Sequence, residues 1–275
     1  MTEQKSDNGK KMSPVLKKIL ENKAGEVLLK KRVFTLGEMR KKAADAPTAR
    51  PFAGGVLACD SRHKIIAEIK RFSPGNPKPR SDFDPATIAK SYEDAGAAAI
   101  SVLTDSVFFG GAISFMAAAR DAVGLPVLCK DFFLDPFQIY EARANGADAI
   151  LLMAVNFESK SQFGEMIDVA KEAGVEALLE IHNESELEFL PGSRPSVMIN
   201  NRDFRDDDLR VDISATKRIA PLVKSARMLI SASGLKDSYT LDELKKFGVD
   251  AFLIGSSLMG ESDPGAALRR LLGGK

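Results

Sequence analysis

The sequence is poor in cysteine, short of any long apolar run and almost without net charge, and each shortage closes off a class of protein. Only Cys59 and Cys129 occur, too few for a disulfide framework and in keeping with a reducing compartment. No stretch reaches the ~18 uninterrupted apolar residues of a membrane-spanning helix. The opening MTEQKSDNGKKMS is polar and lacks the apolar segment of a secretory leader. A net charge of +1 calls for neither a nucleic-acid nor a membrane-surface partner. No His, Cys and Asp cluster has metal-ligand spacing, so no metal is expected. The expected address is the cytoplasm.

What is present is a regular alternation. Residues 1–12 are expected to be a disordered tail. From Pro14 to Ala46 the text reads as helix, with Val15, Ile19, Val27 and Leu28 at helical spacings among lysines. From Lys64 onward, strand-like runs alternate with amphipathic helices: KIIAEIK, AAISVLTD, PVLCKDF, DAILLMAV, EALLEIHN, SVMINNRD, MLISASGL and AFLIGSSLM. Asp84-Pro85 and Asp135-Pro136 mark helix starts, and Gly96, Gly146 and Gly174 fit helix ends. Eight such units predict a parallel sheet closed into a (β/α)8 TIM barrel over 64–275. Residues 13–63 then form an N-terminal helical extension of that single domain. A doubly wound open sheet is the alternative, but it often carries a glycine-rich fingerprint after its first strand, and RFSPGNP has none.

In a barrel, chemistry sits at the carboxyl ends of the strands. Glu68 and Lys70 end the first run, Lys130 and Asp131 the third, Glu180 and His182 the fifth, and Asn200 and Arg202 the sixth. Ser231, Ser233 and Gly234 end the seventh; Gly255, Ser256 and Ser257 end the eighth. Any one of these could be a solvated rim charge, and Glu68 with Lys70 could simply neutralise each other. Yet burying ions costs several kcal/mol each unless they are compensated, so this many polar groups in one mouth argue for a site rather than for packing. The serines and glycines of the last two runs suit a phosphate group, or else tight turns. His182 reads as a rim or satisfied histidine, and Cys129 as a small core residue between strand and helix. A Schiff-base aldolase using Lys130, or a barrel that only binds a phosphorylated metabolite, fits this pattern as well as any other barrel lyase.

Longer motifs narrow the field. PVLKKILENKAGEV, IIAEIKRFSP, DFDPATIAKSYEDAGAAAISVLTDSVFFGG, VLCKDFFLDPFQIYEARANGADAILLM, LLEIHN, INNRDF and AFLIGSSLM resemble the indole-3-glycerol phosphate synthase family from about Pro14 to the carboxyl end. That family closes the indole ring of 1-(2-carboxyphenylamino)-1-deoxyribulose 5-phosphate, releasing CO2 and water without a cofactor. The resemblance implies Lys130 as general acid, Glu180 in the second acid–base step and Glu68 positioning lysine and substrate. It implies Lys70 on the substrate's carboxylate and phosphate, and Asn200, with Arg202 beside it, on the anilino and hydroxyl portion. Phe109 and Phe132 would flank the aromatic ring, Ser73 and Leu253 would line the pocket, and Ser233, Gly234, Gly255 and Ser256 would hold the phosphate. The amino-terminal helices would cover the mouth. The implied partner is a small phosphorylated substrate, and a monomer or weak homodimer is expected.

Three departures stand out. Gly75-Asn76-Pro77 replaces the family's Ser-Lys-Gly after Ser73-Pro74, Ala232 stands where the family reads glutamate, and Met198 stands where it reads glycine. The Lys130, Lys70 and Glu180 set remains, so activity is expected, with an altered rate or substrate tolerance.

Overall fold

Successive side chains of a strand point to opposite faces, so a strand with helices outside and other strands inside must be apolar on both. The eight runs meet that demand and form the barrel. The computed structural model describes residues 12–74, 79–80 and 82–274. It begins with α1 (Pro14–Val33), α2 (Leu36–Asp45) and α3 (Phe52–Ala58). The barrel follows as β1 (Lys64–Ile69), α4 (Pro85–Asp94), β2 (Ala99–Leu103), α5 (Ser106–Phe109), α6 (Ile113–Ala122), β3 (Val127–Lys130) and α7 (Pro136–Ala144). It continues through β4 (Ala149–Met153), α8 (Lys160–Glu172), β5 (Glu176–Ile181), β6 (Ser196–Asn200) and α9 (Ser214–Ile219). It ends with β7 (Met228–Ala232), α10 (Ser238–Lys245), β8 (Ala251–Ile254), α11 (Ser256–Met259) and α12 (Pro264–Leu271). Every strand pairs in parallel with the next, and β8 returns to β1 with Lys64 opposite Ala251 and Ala67 opposite Ile254. The closed (β/α)8 barrel is the fold expected.

Alternation sorts the core into two shells. Ile66, Leu128, Leu151, Leu178, Met198 and Ile230 fill the barrel interior. Ile65, Ala67, Ile100, Ile150, Val197 and Phe252 face the helices, and Cys129 lies buried in that outer shell as anticipated. Asp84 and Asp135 cap α4 and α7 with Pro85 and Pro136 in the first turns. Gly96, Gly146 and Gly174 take left-handed backbone just after α4, α7 and α8. ESELEFL differs from its helical reading: Glu184–Phe189 is 3-10 helix, with Glu186 turned back to accept from His182 N. No helix among the described residues is long and apolar enough to cross a membrane. The expected tail over residues 1–12 lies outside the described residues except for Met12, and so does the Gly75-Asn76-Pro77 departure.

The extension closes both ends of the barrel. Thr35 and Glu38 form a reciprocal capping box that starts α2 where α1 stops, and Met39 and Ala43 then pack on Phe137 and Tyr140 of α7. Helix α3 buries Phe52, Ala53 and Val56 against the inner shell, with Ala53 N donating to Glu176 Oε2 at the start of β5. Helix α1 lies at the opposite end. Its buried face is Leu16, Ile19, Lys23 and Val27. Leu28 is 63% exposed, because the buried stripe follows the i, i+3, i+7 and i+11 positions.

Lys23 is the unexpected member, a lysine only 3% exposed. Its Nζ lies 2.8 Å from Glu26 Oε2, 2.9 Å from Asp105 Oδ2 and 2.9 Å from Asp131 Oδ1. Burial works against its charge, but Asp131, Asp105 and Glu26 together hold it protonated well above the ordinary lysine range. Asp105 itself is pushed up by burial more than Lys23 pulls it down. One ammonium thus pins α1 to the loops after β2 and β3. Lys23→Met keeps the side chain's length but strands two buried carboxylates. It is expected to cost about 3–5 kcal/mol, read as a lowered urea midpoint at pH 7.

Candidate active site

Strand ends in a closed parallel barrel point their side chains into one mouth, and here that mouth opens onto a cavity of about 580 Å³. Glu68, Lys70, Ser73, Phe109, Lys130, Phe132, Asn200, Arg202, Ser233, Gly234, Leu253, Gly255 and Ser256 all line it. The residues expected to touch substrate therefore meet in one place, Glu180 excepted. Glu180 is buried with no exposure, hydrogen-bonded to Asn200 Nδ2 through Oε1 at 3.1 Å, and is not part of the cavity wall.

Glu68 is the hub of the first charge group. It alternates inward with Ile66 because β1 continues as strand to Ile69. Lys70 Nζ donates to Glu68 Oε1 at 2.8 Å and to Ser256 Oγ at 2.8 Å. Lys130 Nζ, brought in by β3, lies 3.6 Å from Glu68 Oε2. Burial pushes the Glu68 carboxyl up, but Lys70 and then Lys130 outweigh it and hold the group below the usual range. One carboxylate therefore orients two ammonium groups on a wall that can receive an anion and donate protons.

The adjoining wall is aromatic, built from the segments after β2, β3 and β6. Phe109 and Phe132 have ring centroids 6.1 Å apart, and Phe204 meets Phe132 edge-on at 5.9 Å. Flat apolar faces beside two ammonium groups suit an aromatic ligand bearing negative charge. Asn200 Oδ1 accepts from Arg202 N at 3.0 Å, and Arg202 Nη1 donates to Leu209 O at 2.6 Å, which turns the chain after β6 over the cavity.

The ends of β7 and β8 carry small residues for two different reasons. Ser233 and Gly234 both take left-handed backbone, at φ 70° and 79°. In a serine this conformation costs on the order of 1–2 kcal/mol. At Gly255 the constraint is contact, since a Cβ there would stand 2.2 Å from Glu68 Oε1. Two earlier readings change. Ser231 does not face the mouth: it is buried toward α9, bonded to Asn201 Nδ2 and Thr216 Oγ1, because its register is odd to Ala232 on the cavity wall. His182 is no rim residue. It is fully buried, with Nε2 3.0 Å from Glu180 Oε1 and Nδ1 3.2 Å from Glu186 Oε2. Burial disfavours its charge, but the two carboxylates prevail and raise its pKa to about 9.

The sequence reading also missed Phe204, Leu209, Val211 and Lys236 on the cavity wall. They come from irregular segments with no periodicity to betray them. Ala232 lines the cavity opposite Asn200 and Leu253 in register. Met198 is buried inside the barrel below. Among the described residues no group of three His, Cys, Asp or Glu side chains could hold a metal ion.

Comparison with known proteins gives the same picture. A family model described as indole-3-glycerol phosphate synthase matches residues 16–271. A protein of that name from Laribacter hongkongensis is 40% identical over 264 residues, covering 94% of this chain and 99% of the relative. One from Azoarcus is 42% identical over 267 residues, covering 95% and 100%. Among solved structures, 3-hexulose-6-phosphate synthase from Salmonella typhimurium aligns with TM-score 0.59 at 15% identity, covering 76% of this chain and 97% of that one, a likeness of fold alone.

Two measurements test the site's geometry. Gly255→Ala is expected to cost about 1–3 kcal/mol by overpacking, and the cost should fall by at least half in a Glu68→Ala background if the clash is with that carboxylate. The second concerns pH. Glu68, Glu180 and Glu186 have lowered folded pKa values, so their contribution is complete above the unfolded value of about 4.3 and lost as pH falls through the folded ones. His182 is raised to about 9, so its contribution is complete below about 6.5 and lost as pH rises through 9. Urea midpoints should therefore peak between about pH 5 and 6.5 and decline on both sides.

Proposed function

The chain belongs to the indole-3-glycerol phosphate synthase family, a carbon–carbon lyase of tryptophan biosynthesis, and we propose that Lys130, Lys70, Glu68, Asn200 and Glu180 carry its ring closure. The substrate is a phosphorylated small molecule, 1-(2-carboxyphenylamino)-1-deoxyribulose 5-phosphate. The observation that carries the assignment of roles is the single Glu68 carboxylate contacting both Lys70 and Lys130, beside the phenylalanine wall.

The chemistry assigns each group. A ring carbon attacks the C2′ carbonyl, so the carbonyl oxygen gains a proton as the new bond forms. Lys130 supplies it, its ammonium oriented by Glu68. Loss of CO2 leaves the bonding pair in the ring system, and expulsion of the C2′ oxygen as water completes the indole. That second step takes one proton from carbon and gives one to the departing hydroxyl, and Glu180 is the base for it. Lys70, between Glu68 and Ser256, holds the substrate's carboxylate and phosphate, with Ser233, Gly234, Gly255 and Ser256 around the phosphate oxygens. Asn200 and Arg202 orient the anilino and hydroxyl portion, Phe109 and Phe132 hold the ring, and Ser73 and Leu253 complete the wall. Helix α1 and the loops pinned by Lys23 limit water. Ala232 lines the cavity, so any altered rate or substrate tolerance from that departure would act there.

The reading extends to a cytoplasmic monomer or weak homodimer, in keeping with the two unpaired cysteines. The decisive test is turnover of the carboxyphenylamino-deoxyribulose phosphate, followed by the appearance of indole absorbance. Lys130→Met is expected to lower kcat by about 10²-fold or more, whereas Lys70→Ala should act mainly on KM. An inactive wild type, or full activity in Lys130→Met, overturns the assignment.

A further inference from the structure

Beside the cavity, behind Phe204, a second charge group surrounds Glu180, and its other members have no role in the assignment so far. Glu180, His182, Glu186 and Arg205 form a buried row. His182 Nε2 lies 3.0 Å from Glu180 Oε1, its Nδ1 3.2 Å from Glu186 Oε2, and Arg205 Nη2 3.6 Å from Glu186 Oε1. Glu186 Oε2 also accepts from His182 N at 2.7 Å, which fixes the 3-10 turn against the end of β5. The ring of Phe204 closes the remaining side of the imidazole, edge-on at 5.8 Å.

Nδ1 is hydrogen-bonded to Glu186 Oε2, whereas Nε2 stands 3.0 Å from Glu180 Oε1 as a charge contact without hydrogen-bond alignment. A neutral imidazole has one N–H and one lone pair, so it would set that lone pair against a carboxylate at 3.0 or 3.2 Å. With Glu180 and Glu186 both held as carboxylates, only the doubly protonated ring sets no lone pair against negative charge. The charges then balance, with two carboxylates against imidazolium and guanidinium, as a buried group requires. The other ionised neighbours are Lys130, whose field acts on Glu180, and Asp203, which binds Arg205.

The two oxygens of Glu180 are thereby made unequal. Oε1 receives Asn200 Nδ2 and lies against His182. Oε2 is buried and accepts no hydrogen bond among the described residues. We propose that His182 is a positioning residue: as an imidazolium clamped between Glu180 and Glu186, it keeps Glu180 a carboxylate and commits one of its oxygens, so that the other is free to take the proton in the dehydration step. This deepens the function proposed above and rests on it for the identity of that step. The clamp costs Glu180 little mobility on the substrate side, since every fixed contact lies on Oε1. It also explains why a carboxylate absent from the cavity wall can remain ionised and poised directly behind Asn200.

The test has an arm that does not need activity. The chain has two histidines, so ring nitrogen spectra of the wild type contain two sets of signals, and those lost in His182→Gln belong to His182. His182 is expected to be doubly protonated at pH 7 and to lose its proton near pH 9. A single-N–H ring at pH 7 overturns the clamp, whatever the assay shows. In turnover, His182→Gln is expected to lower kcat about 10- to 100-fold with KM within about threefold. Without the cation Glu180 holds its proton more tightly, so the acid limb of the kcat profile should move to higher pH. A loss of stability alone, with kcat per folded molecule and the acid limb unchanged, overturns the proposal. If His182→Gln does not fold, Glu186→Gln must lower the His182 titration point in the wild-type-like ring spectrum, and no shift there overturns it. A wild type that does not turn over the substrate sinks the assigned reaction, and the ring's protonation state still decides the clamp.

Discussion

A closed parallel barrel gives every second side chain nowhere to go but the interior, and the rest of this structure follows from that. Below the mouth the interior positions are Ile66, Leu128, Leu151, Leu178, Met198 and Ile230, which stabilise the barrel by leaving water. One layer higher the same inward register carries Glu68, Lys130, Glu180 and Asn200. Polar groups at that level stand on a packed floor and cannot retreat to solvent, so they are held by one another.

Two rows of charge result, each neutralised locally. In one row Glu68 is shared by Lys70 and Lys130, and Gly255 exists as glycine because the carboxylate occupies the space of a Cβ. In the other row, which starts from Glu180 in the same layer, Glu180, His182, Glu186 and Arg205 alternate in sign. A third centre, Lys23 among Glu26, Asp105 and Asp131, ties the extension to the rim. Asp131 immediately follows Lys130, so the contact that holds the lid helix also restrains the backbone presenting the proposed acid. Buried pairs of this kind add little net stability; here they hold donors and acceptors at set positions in a cavity that excludes part of the water.

The barrel was legible because its two periods are local properties: alternation in strands and helical spacing with caps such as Asp84-Pro85 and Asp135-Pro136. Most of the mouth was legible for the same reason, since residues two apart on one strand share a face. The misreadings have physical causes. Ser231 was placed in the mouth although its register turns it toward α9. His182 was left between a rim and a satisfied histidine, because the turn that brings Glu186 over it is not periodic.

By itself the sequence determined the order of eight strands and helices, the closed barrel, and the strand ends at which Glu68, Lys70, Lys130, Glu180 and Asn200 stand, since period and punctuation act between near neighbours. Only the tertiary structure decided which charges share a partner. Lys130 reaches Glu68, Lys23 reaches Asp105 and Asp131, and Arg205 reaches Glu186 through contacts that close only when distant segments pack. Such pairings depend on distances of a few ångströms between separate loops, and no local pattern encodes them.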